Sequence, residues 1–354
     1  MAELVSVLVP AYNAERWLAA TMRSVLAQTW PRIETIIVDD GSRDGTLAAA
    51  KAWESASVKV VTQPNAGACV ARNKALSLAQ GSYIQWLDAD DLLHPNKIAA
   101  QMAAAAQAAD RRVLLSGPFG TFYYRTEKAV FEKNSLWRDL TPLDYLLTRF
   151  SENACFQTDA WLVSRELTEA AGLWTDFGSP DDDGEYFCRV VLKSAGVKFV
   201  PGARSYYRVG NMGSLANTRS TKAVNALFTS KAKCIGYLMA IEDSARARTA
   251  CVQLLQDWMF DLWGHEDVVA KARQLATELG GTLQRPALKW KYKPIERLFG
   301  YDAAFKARRV LPALRAQTAC RLDRLLYSLS SESIDERQSQ DAFVRRVESA
   351  KPAS

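Results

Sequence analysis

The sequence is poor in the residues that build zinc sites and disulfide frameworks. Its 354 residues include six cysteines, with no Cys-x-x-Cys pair among them, and only two histidines. A structural zinc site needs four closely spaced Cys or His ligands, so this composition argues against one. Cysteines scattered without paired spacing are typical of reduced cytoplasmic proteins, and we expect free thiols in the core.

Long apolar runs are absent as well. No stretch of eighteen apolar residues occurs, and the N-terminus lacks the basic and then apolar segments of a signal peptide. We therefore expect no export and no membrane span, and a protein that works in the cytoplasm.

Two phosphate-binding signatures are missing. No G-x-G-x-x-G follows the first predicted strand, and no G-x-x-x-x-G-K-[S/T] occurs in the chain. The chain therefore lacks the sequence signatures of dinucleotide-dependent oxidoreductases and of P-loop enzymes. Any nucleotide must be held in another way.

Positive charge is unevenly distributed. The formal net charge is +6, but residues 285–324 alone carry eleven Lys or Arg against three acids, so the rest of the chain is close to neutral. A nucleic-acid-binding protein would show more general basicity, and we expect no nucleic-acid partner.

Apolar residues are abundant and make up 48% of the chain. In the first third of the chain they form short runs that alternate with helical patterns. Four β-prone runs are followed by loops and helices: LVSVLV at 4–9, IETIIV at 33–38, VKVVT at 58–62 and YIQWL at 83–87. This alternation predicts an α/β fold with a mostly parallel sheet and helices on both faces.

Polar loops follow these strands at one expected edge of the sheet. They comprise residues 10–13, 39–41, 67–72 and 88–91. In parallel sheets ligands bind beyond the carboxyl ends of the strands, so we expect the four loops to form one crevice.

The fourth loop carries the strongest chemical signal, because Asp88, Asp90 and Asp91 directly follow an uncharged strand. Carboxylates packed this closely repel one another unless a cation neutralises them, and hard ions such as Mg²⁺ or Mn²⁺ prefer oxygen ligands. Phosphate oxygens commonly complete the coordination of such an ion, which predicts a nucleoside diphosphate beside it. The open alternative is that these acids cap the helix after Pro95.

With these loops, the chain resembles the inverting family 2 glycosyltransferases of GT-A fold. The resemblance extends over residues 4–208 and is carried by VSVLVPAYNAERWLAATMRSVLAQTW, IIVDDGSRDGT and NAGACVARNKALSLAQGSYIQWLDADD. It implies a nucleotide-diphospho-sugar transferase with a Rossmann-like, mostly parallel sheet and a helical C-terminal extension.

The resemblance also implies roles for single residues near the base and ribose. Asp39 would accept the imide proton of the base. The base and ribose would be bordered by Pro10, Ala11, Tyr12 and Asn13. A tyrosine offers a ring face for stacking, which suits this role, although Tyr12 could instead be a packing aromatic.

Further along the donor, the resemblance places Arg72 against the diphosphate, Asp88 on the ribose and Asp90 on the metal ion. A guanidinium suits the first role because it binds phosphate through two parallel hydrogen bonds. A Gly-rich loop over residues 205–216, with Arg208 and the Gly213-Ser214 turn, is a candidate to close over the leaving group. An ordinary surface loop is the alternative.

A second acidic group, SPDDDGEYFCR at residues 179–189, resembles the catalytic pattern of the family through Asp182, Asp183, Glu185 and Arg189. The resemblance makes Asp183 the catalytic base, with Asp182 as the alternative. An attacking sugar hydroxyl must lose its proton, and a carboxylate with a pKa raised by burial beside other acids can accept it. The same acids would also stabilise the N-terminus of the helix that begins there.

The chain is helical after residue 215 and shows no catalytic pattern there. Residues 285–325 mix basic with aromatic and aliphatic residues, which resembles a helix that lies on a membrane surface; a solvated helix face packed on the catalytic domain is the alternative. The expected organisation is a catalytic domain at 1–215, a helical region at 216–330 and a polar tail at 331–354. The catalytic domain would comprise a nucleotide-sugar half at 1–115 and an acceptor half at 116–215.

The predicted function is metal-dependent, inverting transfer of a sugar from a nucleotide sugar, with a UDP-sugar favoured, to a hydroxyl of a saccharide or lipid-linked acceptor. Surface polysaccharide or glycolipid synthesis is the expected setting, in the cytoplasm or at the inner face of the membrane. One rival is a sugar nucleotidyltransferase, which would need a Gly-rich basic loop after the first strand. The other is a non-catalytic module that binds sugar nucleotide, membrane or polymer.

Overall fold

The computed structural model describes residues 2–210 and 220–329, so the predicted Gly213-Ser214 turn and the predicted polar tail at 331–354 lie outside the described residues. The strands are β1 (Val5–Ala11), β2 (Ile33–Asp39), β3 (Val58–Thr62), β4 (Tyr83–Trp86), β5 (Leu92–Leu93), β6 (Val113–Ser116), β7 (Phe119–Phe122), β8 (Val163–Ser164), β9 (Gly196–Phe199) and β10 (Ser205–Arg208). The α-helices are α1 (Glu15–Leu26), α2 (Thr46–Lys51), α3 (Ala68–Leu78), α4 (Lys97–Gln107), α5 (Pro142–Glu152), α6 (Arg165–Ala171), α7 (Asp182–Lys193), α8 (Thr221–Met239), α9 (Ala245–Leu262), α10 (Glu266–Glu278) and α11 (Lys293–Ser328).

A five-stranded sheet in the order β3-β2-β1-β4-β8 forms the centre of the fold. Neighbouring strands are parallel except β8, which runs antiparallel to β4. Strand β1 shows no polar alternation because both of its faces are covered, as expected for a buried parallel strand. The predicted α/β fold with a mostly parallel sheet is confirmed.

The two faces of this sheet belong to different apolar clusters. Val7 and Val9 face α1, α2 and α4, where they share a cluster with Leu18. Leu8 and Ile36 face the opposite side, where α3 and the helices of the second half of the chain cover the sheet. Because successive side chains of a strand alternate, one short apolar run supplies both cores.

Two smaller sheets, β5-β10-β7 and β6-β9, adjoin the central one. The expectation of a loop at residues 205–208 was wrong, because these residues form β10, parallel to β7 and antiparallel to β5. The sequence SYYR contains two tyrosines, which favour strands, and pairing to β7 satisfies its backbone groups.

The helical region shares its core with the preceding part of the chain. Helices α8 and α9 pack against α7 and α5, respectively. Leu238 and Leu255 of these helices belong to the same buried cluster as Phe150 and Tyr186. This packing brings α8 and α9 next to the first turn of α7, where the second acidic group lies.

The last helix, α11, is interrupted at Gly300, whose φ of +81° lies outside the helical region. Beyond the interruption, Phe305 packs on Phe260 with ring centroids 5.2 Å apart. Near its end, Asp323 accepts a 2.7 Å hydrogen bond from Arg125 Nε. The helix thus connects the helical region back to the chain segment after β7.

Large apolar side chains of this C-terminal segment are exposed, among them Trp290, Leu298, Phe299 and Leu314. Over residues 2–210 and 220–329, no helix is at once long enough and apolar enough to cross a membrane.

All six cysteines are free, as expected. Four of them are buried, whereas Cys155 is exposed and Cys320 partly exposed.

The shared core makes a prediction about stability. Replacing buried Phe150 of α5 by alanine leaves a cavity between α5 and α9, so we expect Phe150→Ala to lower the free energy of unfolding by about 3–5 kcal/mol. Phe299 is 73% exposed, and Phe299→Ala is the matched control, with an expected change of about 0.5 kcal/mol or less. Urea titration followed by tryptophan fluorescence measures both; equal losses would contradict the packing.

Candidate active site

A cavity of about 820 Å³ lies at the carboxyl-terminal edge of the central sheet. One wall consists of residues 10–14 after β1, Asp40 after β2, the start of α3 and residues 88–90 after β4. The other wall consists of residues 153–158 and 178–184, with Lys231 and Trp258 from α8 and α9. The four strand-end loops therefore meet in one crevice, which also contains the second acidic group.

Arg72 joins two acidic segments that are far apart in the chain. Its Nη2 donates to Asp88 Oδ1 at 2.9 Å, and its Nη1 donates to Asp182 Oδ2 at 2.7 Å. The guanidinium lies 4.4 Å from the centroid of the Trp174 ring and only 5% of the residue is exposed. Burial alone would lower the pKa of Arg72, but the charges of Asp182 and Asp88 raise it, so the guanidinium stays charged.

Asp183 lies beside this pair in the first turn of α7. Burial, followed by the charges of Asp181 and Asp182, raises the pKa of Asp183 to about 7. Its Oδ2 accepts a hydrogen bond from the Thr158 hydroxyl at 3.5 Å. A carboxyl group that titrates near neutral pH can accept a proton effectively in that range.

The neighbouring acids are already paired. Asp181 Oδ2 accepts from Lys231 Nζ at 2.7 Å and from Ser230 Oγ at 3.2 Å, and Asp182 binds Arg72. In the described part of the chain, Asp183 is the member of this triplet without an ion pair. Asp183 therefore differs from Asp182 in that no cation holds its carboxylate in an ion pair.

The alternative role of these acids, as charges at a helix N-terminus, also applies, because Asp182, Asp183 and Glu185 all lie in the first turn of α7. Glu185 accepts from Arg189 Nε at 2.8 Å. The remaining guanidinium nitrogens of Arg189 donate to backbone carbonyls at 171 and 173. The end of the acidic motif thus stabilises the fold and does not line the cavity.

The loop after β1 contains a residue in the left-handed region. Asn13 has a φ of +49°, its N–H donates to Ser42 Oγ at 3.0 Å, and its Oδ1 accepts from the Arg43 N–H at 2.9 Å. Asparagine tolerates this conformation because its short amide bonds locally. The turn presents Tyr12, which is 45% exposed, in the cavity wall together with Pro10 and Ala11.

Asp39 and Asp40 differ in position. Asp39 is buried, and its carboxylate accepts from Thr62 Oγ1 at 3.0 Å and from the Ser42 N–H at 3.4 Å, without lining the cavity. Asp40 lines the cavity, and its carboxylate accepts from the N–H groups of residues 66 and 67. Asp40 thereby fixes the turn that leads into α3.

Asp88 and Asp90 both line the cavity, whereas Arg208 does not. Arg208 is buried behind them: its N–H donates to Asp91 Oδ1 at 2.7 Å, its Nε to the Asp90 carbonyl at 2.8 Å and its Nη1 to the Tyr123 carbonyl at 2.6 Å. Arg208 therefore holds the acidic loop in place from β10.

Carboxylate oxygens of Asp88 and Asp90 are suitable ligands for Mg²⁺ or Mn²⁺. Within residues 2–210 and 220–329, no group of three or more His, Cys, Asp or Glu side chains is arranged to hold a metal ion.

Three buried side chains support the wall that carries Thr158. Nε2 of Gln85 donates to the carbonyl of residue 159, Nε2 of Gln101 to that of 160 and Nζ of Lys97 to that of 161, each at 3.0 Å. Burial lowers the pKa of Lys97 to about 7. These donors satisfy consecutive carbonyls of the short 3₁₀ helix Thr158–Ala160 and of the residue after it, and so fix Thr158 against Asp183.

Several residues of the cavity wall carried no motif and were not predicted, namely Tyr145, Arg149, Thr158, Lys231, Leu254 and Trp258. One signal was present in the sequence. Lys231 lies at a four-residue spacing between Leu227 and Ile235 on the apolar stripe of α8, where a charge is unusual unless it has a partner.

Comparison with known proteins agrees with this geometry. Residues 6–171 match the family model described as Glycosyl transferase family 2. The chain is 45% identical over 102 residues to the putative teichuronic acid biosynthesis glycosyltransferase TuaG of Bacillus subtilis (strain 168), which covers 28% of this chain and 40% of TuaG.

Another relative is the UDP-Glc:alpha-D-GlcNAc-diphosphoundecaprenol beta-1,3-glucosyltransferase WfgD of Escherichia coli. It is 40% identical over 101 residues, which are 28% of this chain and 40% of WfgD. The chain thus spans less than half the length of these curated relatives.

Among solved structures, the fold is similar to that of S. aureus TarS residues 1–349 in complex with UDP-GlcNAc. The TM-score is 0.64 at 16% sequence identity, over 86% of this chain and 91% of that chain. This likeness concerns the fold, and it confirms the predicted GT-A architecture with a helical C-terminal region.

The two ion pairs of Arg72 lead to a prediction. Arg72→Leu leaves two partly buried carboxylates unpaired, so we expect it to lower the free energy of unfolding by about 3–5 kcal/mol. Arg72→Lys should lose part of this free energy of unfolding, because the single ammonium group of lysine cannot replace a guanidinium that pairs with two carboxylates at once. The measurement is urea unfolding at pH 8.

The matched control is Arg112→Leu, which removes a surface pair with Asp110 and should cost about 1 kcal/mol or less. If Arg72→Leu and Arg112→Leu unfold at the same urea concentration, Arg72 does not connect the two acidic segments.

Proposed function

We propose that the protein transfers a sugar from a nucleoside diphosphate donor to an acceptor hydroxyl with inversion at the anomeric carbon; the match of residues 6–171 to the family model described as Glycosyl transferase family 2 supports this class of reaction. The observation that carries the proposal is Asp183, an unpaired carboxyl with a pKa raised to about 7 that faces the cavity. It lies beside the Arg72 pairs that join the acceptor wall to the predicted donor wall.

The donor is proposed to lie along residues 10–14 and 88–90, with a UDP-sugar favoured. Two similar proteins support this choice, because TarS was solved with UDP-GlcNAc and WfgD is named for UDP-Glc. Tyr12 offers a ring to the base or ribose, and Asp88 keeps one carboxylate oxygen outside its pair with Arg72. The predicted contact of Asp39 with the base would require movement of the loop at Ser42, since Asp39 is covered.

Mg²⁺ or Mn²⁺ is proposed as the cofactor. The cavity supports this because two carboxylate side chains, Asp88 and Asp90, both line its wall, and oxygen donors suit either ion. Asp90 is the proposed ligand; when bound, the ion would neutralise charge on the diphosphate. Arg208 holds the Asp90 carbonyl and so keeps the ligand in place.

The chemical step that these residues support is a single displacement. The acceptor oxygen attacks the anomeric carbon, and the bond from that carbon to the diphosphate oxygen breaks with its electron pair remaining on the diphosphate. The hydroxyl proton passes to the Asp183 carboxylate, which accepts it as the new bond forms. Thr158, hydrogen bonded to Asp183 Oδ2, orients the carboxylate toward the acceptor.

Loss of the base gives a direct test. We expect Asp183→Asn to reduce kcat by about 10²- to 10⁴-fold while leaving the affinity for UDP nearly unchanged. In the wild type, kcat/KM should rise as pH increases through about 7, because Asp183 must lose its proton before it can accept another. The residual activity of the variant should lack this rise. Release of nucleoside diphosphate from a panel of sugar donors with Mg²⁺ or Mn²⁺ measures kcat and the pH dependence of kcat/KM, and isothermal titration calorimetry measures the affinity for UDP.

Asp267→Asn is the matched control, because Asp267 also lies in the first turn of a helix but is exposed and far from any motif. It should keep full activity. Equal activity of Asp183→Asn and wild type would assign the base to another residue. Donor binding without turnover would indicate a binding module, and formation of pyrophosphate from nucleoside triphosphate and sugar phosphate would indicate a nucleotidyltransferase.

The acceptor is proposed to be a saccharide or lipid-linked saccharide used in surface polysaccharide or glycolipid synthesis. The names of the relatives support this setting, since TuaG is named for teichuronic acid biosynthesis and WfgD for a diphosphoundecaprenol-linked acceptor.

We also propose contact with the cytoplasmic face of an anionic membrane through residues 285–325. A cleft of about 590 Å³ between α9 and α11 is lined by Lys289, Lys291, Arg308 and Arg309, and Trp290 beside it is 85% exposed. Clustered cations attract anionic headgroups, and an exposed tryptophan favours the interface. The alternative is that this segment packs on the catalytic domain. Within the described residues of the segment, only the end of α11 supports that alternative, through the ion pair between Asp323 and Arg125.

Charge reversal tests the membrane contact. We expect the double variant Lys289→Glu with Lys291→Glu to reduce co-sedimentation with phosphatidylglycerol-containing vesicles by about tenfold or more, since each basic residue near such a surface contributes about 1 kcal/mol. Lys59→Glu changes an exposed lysine on β3 and should sediment like the wild type. Unchanged sedimentation of the double variant would remove the proposal.

A further inference from the structure

The cavity continues past Asp183 to a far end formed by α5, α8 and α9. Tyr145 and Arg149 of α5 lie there together with Lys231 and Trp258. We propose that this end binds an anionic group, a phosphate or a carboxylate, carried by the acceptor saccharide, and that Arg149 is its ligand. The inference rests on the proposed transferase function, which defines the acceptor.

Arg149 is a partly buried cation in the cavity wall, near the carboxylates of Asp181 and Asp183 but outside ion-pair distance of them. Its Nη1 donates to the carbonyl of Gly184 at 3.1 Å, immediately after Asp183. Among the described residues, no carboxylate forms an ion pair with the guanidinium of Arg149. Charges withdrawn from water are normally paired, so an anion supplied by a ligand would find a favourable position here.

The other cations of the cavity are already neutralised, which distinguishes Arg149 from them. Arg72 binds two carboxylates, and Lys231 Nζ lies 2.7 Å from Asp181 Oδ2. A bound anion therefore has one obvious cationic partner at the far end. A guanidinium also matches both candidate anions in shape, since phosphate and carboxylate each accept two parallel hydrogen bonds from it.

An aromatic side chain at this end of the cavity suits the saccharide that would carry the anion. Trp258 is partly exposed and lies across the cavity, with Lys231 Nζ 4.1 Å from its ring centroid. Tyr145, one helical turn before Arg149 in α5, is buried against Phe156 and Trp161 and supports this end of the cavity from behind. Aromatic rings supply large apolar faces with little conformational entropy to lose, which suits a sugar ring.

The position of Arg149 also connects the anion to the chemistry. Burial and the neighbouring acids raise the pKa of Asp183, and the charge of Arg149 opposes that rise, so the two groups lie close enough to interact. An acceptor held by its anionic group at Arg149 would keep a hydroxyl near the base. A negatively charged acceptor would therefore be selected at the site of proton transfer.

The experiment measures binding of three small probes to the full chain in the presence of saturating UDP and Mg²⁺, by isothermal titration calorimetry. The probes are glucose 1-phosphate, glucuronate and methyl glucoside, which share a pyranose ring and differ in charge; saturating UDP blocks the donor site. The variants are Arg149→Gln and Arg149→Lys, with Arg138→Gln on the surface as the matched control.

The wild type and Arg138→Gln should bind at least one charged probe about tenfold more tightly than methyl glucoside, as expected for one charge-assisted hydrogen-bonding group. In Arg149→Gln this ratio should fall to about one, and Arg149→Lys should keep part of it. The charged probe that binds more tightly identifies the anion as phosphate or carboxylate.

Two results would overturn the inference: equal binding of all three probes by the wild type, or a preference for charge that persists in Arg149→Gln. If Arg149 only supports α7 through Gly184, Arg149→Gln should lower the melting temperature and weaken all three probes equally, which also overturns it. The proposed transferase is tested separately, by nucleoside diphosphate release from the donor panel with the same protein preparations. No turnover with any donor would contradict the transferase, whereas the probe ratio alone decides whether Arg149 binds an anion.

Discussion

The ion pairs of Arg72 are the interaction on which the rest of the site depends. Two acidic segments, one after β4 and one at the start of α7, face the same cavity and would repel each other without a cation between them. Arg72 contacts one carboxylate from each segment and stacks on Trp174. A single buried guanidinium thus holds the two walls of the cavity together, and it leaves Asp183 as the acid of its triplet without an ion pair.

Buried polar side chains extend this order into the wall beside Thr158, where only a short 3₁₀ helix forms. Gln85, Gln101 and Lys97 bind consecutive carbonyls behind Thr158, and Lys231 binds Asp181 from α8. Backbone and side-chain groups away from water need such partners, and once satisfied they define one arrangement of the chain. Because α8 and α9 share their core with α5 and α7, the helical region contributes side chains directly to the cavity.

Some residues singled out in the sequence have positions that their motifs do not specify. Asp39 ends β2 with its carboxylate turned to Thr62 and Ser42, whereas Asp40 faces the cavity and fixes the turn before α3. Arg208 lies at the end of a strand and supports the acidic loop from behind, where a Gly-rich loop was expected. Asp39, in contrast, lies at the expected end of its strand. Which way each of these side chains points depends on partners from other parts of the chain.

The sequence by itself determined the parallel α/β fold and the edge at which the polar loops meet, because strand and helix periodicities are local and the carboxyl ends of parallel strands share one side of a sheet. It also located both acidic groups, through their residue types and order. Only the tertiary structure decided which acid is paired and which is free, because the partners are remote: Arg72 and Asp182 are 110 residues apart, and Lys231 and Asp181 are 50 apart. Arg149 and Trp258 likewise belong to the cavity only because helices without any motif pack against α7, and no local pattern encodes contacts over such separations.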